Sequence, residues 1–169
     1  LLAAFWGLLV PFVNDRVEGS NPFKPGAAYN LGGATIVPVA GWKLGNSVEG
    51  VFTAIEKDGL SIGIGAPGPS SGSPEAGLAA LADVLRADTT TTWQIGKPEL
   101  FTTASGLAAG RVVSTSSDSV DVAYVIDDGT QSISVGIRTD PASWASSEKD
   151  IDAMIRSMAF VPTSGETVP

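Results

Sequence analysis

The chain opens on 13 residues that carry no charge and almost no polarity, and Asn14-Asp15-Arg16 ends that run abruptly. A membrane-spanning helix needs about 20 apolar residues. The sequence begins at Leu1 and not at a methionine, so the run reads as the C-terminal part of such a helix. Its anchoring side chains are then Leu1, Leu2, Phe5, Trp6, Leu8, Leu9, Val10, Phe12 and Val13. Two other readings stay open. A buried helix also has no polar face, and a signal or interfacial segment has a similar length, although Val13-Asn14-Asp15 is a poor cleavage site. Beyond the run, Arg16 and Lys24 stand beside Asp15 and Glu18, so the positive-inside rule gives this side no cytoplasmic preference. The expectation is a single-pass protein of the plasma membrane with an extracytoplasmic domain.

Residues 14–33 read as a linker, broken by Gly19, Asn21-Pro22 and Pro25-Gly26. From Ile36 to Val39 the chain is apolar and extended, and Ala40-Gly41-Trp42 turns it. Residues 49–57 predict a strand, Asp58-Gly59 a two-residue hairpin turn, and the alternation of Leu60, Ile62 and Ile64 with Ser61, Gly63 and Gly65 the returning strand. Ser73-Pro74 is a helix start, and Leu78, Leu81, Ala82 and Leu85 predict a helix over 74–87 that four threonines, 89–92, bring to an end. Strands follow near 99–104, 107–115, 120–127 and 131–138, with a second hairpin signal at Asp128-Gly129. Asp140-Pro141 opens a last helix whose apolar stripe is Trp144, Ile151, Met154, Ile155 and Met158. Phe160-Val161 closes the domain, and residues 162–169 read as a flexible tail. The fold class is therefore α+β: an antiparallel sheet covered by two helices, in the order hairpin, helix, meander, helix, spanning 34–161.

Composition narrows the chemistry. Ten basic residues, scattered singly, stand against 18 acidic ones for a net charge of −8. Binding to phosphates needs clustered Lys and Arg, so nucleic acid is not an expected partner. There is no cysteine and no histidine. Thiolate catalysis and Cys-based metal sites are excluded, and the commonest general base and metal ligand at neutral pH is missing. No catalytic residue, cofactor or metal is expected.

Four stretches resemble the PsbP/Mog1-like fold: Pro38-Val39-Ala40-Gly41-Trp42, the Asp58-Gly59 turn, the long meander, and the terminal pattern of Ile151, Ile155, Ser157, Met158 and Phe160. The composition, rich in Ala, Gly, Ser and Thr, is similar to that of actinobacterial envelope domains of the LpqN type, without their lipidated cysteine. The resemblance implies an antiparallel sheet between helices and a binding or accessory role, since such proteins include photosystem assembly factors, a small-GTPase partner and envelope lipoproteins. Fold alone does not fix function.

Several motifs compete with plain structural roles. Gly63-Ile64-Gly65-Ala66-Pro67-Gly68 matches a dinucleotide fingerprint, with Asp88 at a suitable distance. However, Pro67 and Pro69 spoil the phosphate turn, and the preceding strand belongs to a hairpin. Asp127-Asp128-Gly129 lacks the further oxygens a calcium loop needs, so a turn is favoured. Ser70, Ser71 and Ser73 have no lysine partner, and Ser146-x-x-Lys149 reads as a helix's first turn. No Asp or Glu is expected in an apolar register that would raise its pKa. Trp42 and Trp93 are candidates for a partner surface, as is Trp144, with core packing as the alternative. The functional expectation is a non-catalytic, membrane-tethered accessory or assembly subunit that meets an integral-membrane or envelope protein, for example in respiration or envelope biosynthesis. The alternative is a carrier or sensor of an apolar ligand such as an envelope lipid.

Overall fold

The centre of the domain is a strand buried on both faces. In the computed structural model, which describes residues 22–161, all eight residues of Val120–Asp127 are buried. Alternate side chains of a strand point to opposite faces, so two covers are required, and two helices supply them. Helix α1 (Pro74–Ala87) packs Leu78 and Leu81 with Val112, Ala123 and Val125. Helix α2 (Pro141–Arg156) buries Trp144, Ile151, Met154 and Ile155 in the main cluster, together with Val122, Tyr124, Ile126, Ile133, Val135 and Ile137.

In chain order the strands are β1 (Tyr29–Asn30), β2 (Ala34–Ile36), β3 (Lys43–Val48), β4 (Phe52–Lys57), β5 (Leu60–Gly65), β6 (Gly68–Pro69), β7 (Gln94–Ile95), β8 (Glu99–Thr102), β9 (Ala108–Thr115), β10 (Val120–Asp127), β11 (Gln131–Thr139) and β12 (Ala159–Phe160). The main sheet runs β3-β4-β5-β11-β10-β9-β7, with β6 paired to β11 and β8 to β9. A small sheet runs β1-β2-β12. Every pairing is antiparallel; β5 joins β11 through Val135↔Ile64 and Gly136↔Gly63, which fuses the hairpin to the meander. The expected α+β class is the observed one, and its order of hairpin, helix, meander and helix recurs in the elements.

Local chemistry explains the element ends. The Ser73 side chain accepts from the Ala76 amide at 3.1 Å, and Pro74 follows at the first helical position. Asp140 does the same for α2, accepting from the Ala142 and Ser143 amides at 2.9 and 3.0 Å. At the β4–β5 turn both Asp58 and Gly59 have positive φ, 51° and 83°, as a two-residue turn of this hand demands. The second Asp-Gly turn is wider: the Asp128 amide donates to the Gln131 carbonyl, and only Gly129 has positive φ.

Three expectations change. Residues 43–57 form a two-stranded hairpin, not one strand over 49–57. Gly45 and Asn46 weaken the sequence signal for β3, yet this edge strand pairs with β4 across a bulge between Leu44 and Ser47. The folded unit also begins before residue 34. Phe23 is buried, donates its amide to the Trp42 carbonyl at 2.8 Å and packs its ring 4.4 Å from that of Tyr29. Ser146 lies in the interior of α2, where its hydroxyl donates to the Ser143 carbonyl, and not in its first turn. The apolar run 1–13 and the tail 162–169 lie outside the described residues. Among the described residues no helix is long and apolar enough to cross a membrane.

Candidate functional site

Large apolar side chains left in water are the first clue to an interaction surface. Leu44, Val48 and Val51 are each 38–45% exposed and gather around the β3–β4 turn at one end of the main sheet; Tyr29 on β1 and Leu100 on β8 are exposed as well. The β3–β4 turn brings Val48 and Val51 together, and Leu44 stands on the same edge strand. A groove of about 260 Å³ lies among them, lined by Leu31, Leu44, Val48, Val51 and Phe52, with the Glu49 carboxylate and the polar Asn30 and Ser47 among its walls. β3 is the terminal strand of the sheet. Its outer edge meets the chain at Pro22, which forms an antiparallel bridge with Lys43. The described domain is therefore entered beside the groove. The sequence placed Val51 in a strand over 49–57 and singled out neither Leu44 nor Val48; a glycine-broken hairpin with unmatched apolar residues at its tip was the available signal.

The candidates from the sequence separate cleanly. Trp42 is fully buried within the main cluster, with the Lys57 ammonium 6.0 Å from its ring, and Trp144 is buried too. Neither presents a surface: an indole at the end of an element fills core volume that a smaller side chain would leave empty. Trp93 is half-buried. Its ring lies over the Arg138 guanidinium at 5.0 Å and its Nε1 donates to Asp88 at 3.3 Å.

The glycine-rich stretch 63–68 is antiparallel strand β5 followed by β6, which pairs farther along the same edge of β11, so this stretch is not part of a parallel βαβ crevice for a dinucleotide. Asp88 caps the end of α1 and accepts from the amide and hydroxyl of Thr90; those bonds hold its carboxyl down at about 2. Asp127 takes the Ser70 hydroxyl on both oxygens and the Gly129 amide, and Asp128 takes the Thr130 and Gln131 amides. These carboxylates serve turns. Ser71 donates to the Ser73 carbonyl and Ser73 caps α1.

One expectation is overturned. Asp121 does stand in an apolar register: it is 1% exposed in β10, and burial pushes its carboxyl up to about 6 even though Arg138 pairs with it. Arg138 Nε and Nη2 both reach Oδ2, at 2.8 and 2.7 Å. α1 covers the Asp121 face of β10, which also carries Ala123 and Val125.

A second polar network joins the sheet to α2. Arg111 on β9 reaches Glu99, Glu148 and Asp152 at 2.9, 2.9 and 3.2 Å, and the Tyr124 hydroxyl donates to Asp152 at 2.7 Å. Burial, and then the bond to Asp152, raises the Tyr124 phenol far above its ordinary value. Every member has a partner, and nothing in the network is poised as a free base or nucleophile.

With that architecture in hand, solved structures are informative. The solution structure of cyanobacterial PsbP (CyanoP) from Synechocystis sp. PCC 6803 superposes with a TM-score of 0.53 over 88% of this chain and 96% of that one. The fold is PsbP-like. The two sequences are 10% identical, so the likeness is one of fold. A crystal structure from Bacteroides thetaiotaomicron VPI-5482 aligns with 90% of this chain and 52% of that one, at 15% identity and a TM-score of 0.41, too low to add to the argument. No family model matches the chain, and no curated protein matches it.

Proposed function

We propose that this PsbP-like chain is a non-catalytic accessory domain, tethered by residues 1–13, that docks its β3–β4 apolar rim onto a membrane or envelope protein. The carrying observation is the coincidence of two features: the exposed groove beside Leu44, Val48 and Val51, and the entry of the chain at Pro22 opposite Lys43. Eight residues separate Val13 from Pro22. Even fully extended they span about 30 Å, so the rim stays near the plane in which the apolar run would end. Confinement of this kind raises the effective concentration of the rim toward a partner in the same membrane. On this reading the protein is single-pass in a plasma membrane, its domain is extracytoplasmic, and it resembles the LpqN-type envelope domains of actinobacteria. Respiratory or envelope-biosynthesis assemblies are the class of partner.

The carrier reading asks for an apolar cavity between sheet and helix. There the main cluster packs Trp144, Ile151, Met154 and Ile155 directly against β10 and β11, which favours the docking reading. Purification of the tagged full-length protein in mild detergent, with identification of what accompanies it, tests the proposal. A defined membrane protein is expected with the native chain and a tenfold loss of it with Val48→Glu/Val51→Glu at unchanged Tm. A chain that purifies alone, or a double variant that keeps its companion, overturns it.

A further inference from the structure

The second feature concerns the other end of the sheet and does not depend on the docking reading. Cross-strand register places Asp121 between Ser114 on β9 and Arg138 on β11. Arg138 uses both of its bonds on Oδ2. Asp121 Oδ1 and Ser114 Oγ are buried, and neither has a hydrogen-bond partner among the described residues. A buried polar atom left so is rare and asks for a reason. The other side of the guanidinium carries the Trp93 ring, whose Nε1 reaches Asp88. Contacts thus run unbroken from Asp121 through Arg138 and Trp93 to the cap of α1.

This line of contacts anchors the segment from Asp88 to Trp93, whose continuation, Gln94–Ile95, is paired with β9 at Thr115 and Ser114. Thr90, Thr91, Thr92 and Gln94 line a hydroxyl-rich cleft of about 560 Å³ together with Thr115, Ser116 and Asp118. Few charges surround Asp121. Arg138 is the one facing it from β11, and β9 offers the neutral Ser114. The buried face of α1 carries Leu78, Leu81, Ala82 and Leu85, while Asp83 and Arg86 pair with each other on its exposed face. Asp88 is committed to Thr90 and Trp93, and Asp118 to Ser116 and Ser119 in its own turn.

We propose that Asp121, Arg138 and Trp93 form a proton-operated latch on the 88–93 segment, closed when Asp121 is ionised and released when it is neutral. Ionised, the carboxylate fixes Arg138, which in turn seats the Trp93 ring. Protonation leaves Arg138 without its counter-charge and weakens its hold on the indole. The neutral acid gains a hydrogen-bond donor, and Ser114 is the cross-strand neighbour with an open acceptor. Each form has a favourable arrangement, which is the requirement for a two-state element. The segment then loosens from the sheet, and the wall of the cleft it carries moves with it. Burial places the transition near pH 6, away from Asp88, which is held near 2.

The test follows the full-length protein by NMR from about pH 4.5 to 7.5, reading the Trp93 indole N–H (assigned with Trp93→Phe) and the Asp121 carboxyl carbon. A shared midpoint near pH 6 is expected, with hydrogen exchange at the Thr90–Thr92 amides, corrected for intrinsic rate, several-fold faster on the acid side. In Asp121→Asn the Trp93 transition is expected to vanish. Different midpoints for the two signals in the native protein overturn the latch, as does a Trp93 transition that survives the substitution or an indole that ignores pH altogether. The comparison of midpoints needs no variant, so it decides the matter even if Asp121→Asn does not fold.

Discussion

A single buried carboxylate changes how this protein answers acid. Most carboxylates that gain partners on folding are held low, as Asp88 and Asp128 are at about 2, and their contribution is lost as pH falls through that range. Asp121 has the opposite sign. Its folded value, about 6, exceeds the ordinary 3.8, so between those values the native state holds a proton that the unfolded chain has released. Stability from this group is therefore present at low pH and falls as pH rises from about 4 to 6. The difference is on the order of 3 kcal/mol by the usual conversion of a pKa difference into free energy. Urea unfolding at pH 4.5 and 7.5 measures about two-thirds of it, because at 4.5 the unfolded carboxyl is already mostly ionised. The native protein is expected to lose stability across that interval relative to Asp121→Asn, whose amide oxygen still accepts from Arg138. Parallel curves for the two proteins would refute the assignment. Nothing in the residues near Asp121 gave this away, because Ser114 and Arg138 become its neighbours only through a register set 7 and 17 positions along the chain.

At the scale of elements, legibility followed locality. Helix α1 was readable to the residue because its signals are contiguous: a Ser-Pro start, apolar positions at helical spacing, and a threonine run that favours extension. The β4–β5 turn was equally local. Edge strand β3 was not, since Gly45 and Asn46 argue against a strand and only pairing with β4 supplies the bonds. The Arg111 network belongs here too, because it ties β8 and β9 to α2 through Glu99, Glu148 and Asp152, residues 12 to 41 positions from Arg111. Arg111 is 15% exposed, so its removal strands Asp152 and the hydroxyl of buried Tyr124 against a helix that has lost its polar anchor. Arg111→Ala is expected to cost about 3 kcal/mol, and Arg111→Lys to recover only part of it, because a point charge replaces a guanidinium fork. Thermal unfolding of both variants checks the order; a Lys variant as stable as the native protein would mean that alkyl packing and charge, and not the fork, carry the contribution.

The whole molecule divides its work between two ends of one sheet. The β3 end carries exposed apolar side chains and the entry of the chain, and the β7 end carries the latch and its hydroxyl-lined cleft. Between them lies a core closed on both faces by α1 and α2. Its closure has a consequence for the N-terminal run. Phe23 is the first core residue among the described residues, seated against Tyr29 and bonded to Trp42. A chain from which residues 1–13 have been deleted is then expected to keep its Tm within about 2 °C, since surface changes away from a core shift stability by about half a kcal/mol or less. The same deletion is expected to move the protein from the detergent to the aqueous layer in detergent phase partitioning, because 13 uncharged residues leave with it. The two measurements separate the roles of the run. Partitioning without loss of Tm makes it a tether; loss of Tm without a change in partitioning makes it part of the core, and the rim beside Lys43 would then need another route to a membrane partner.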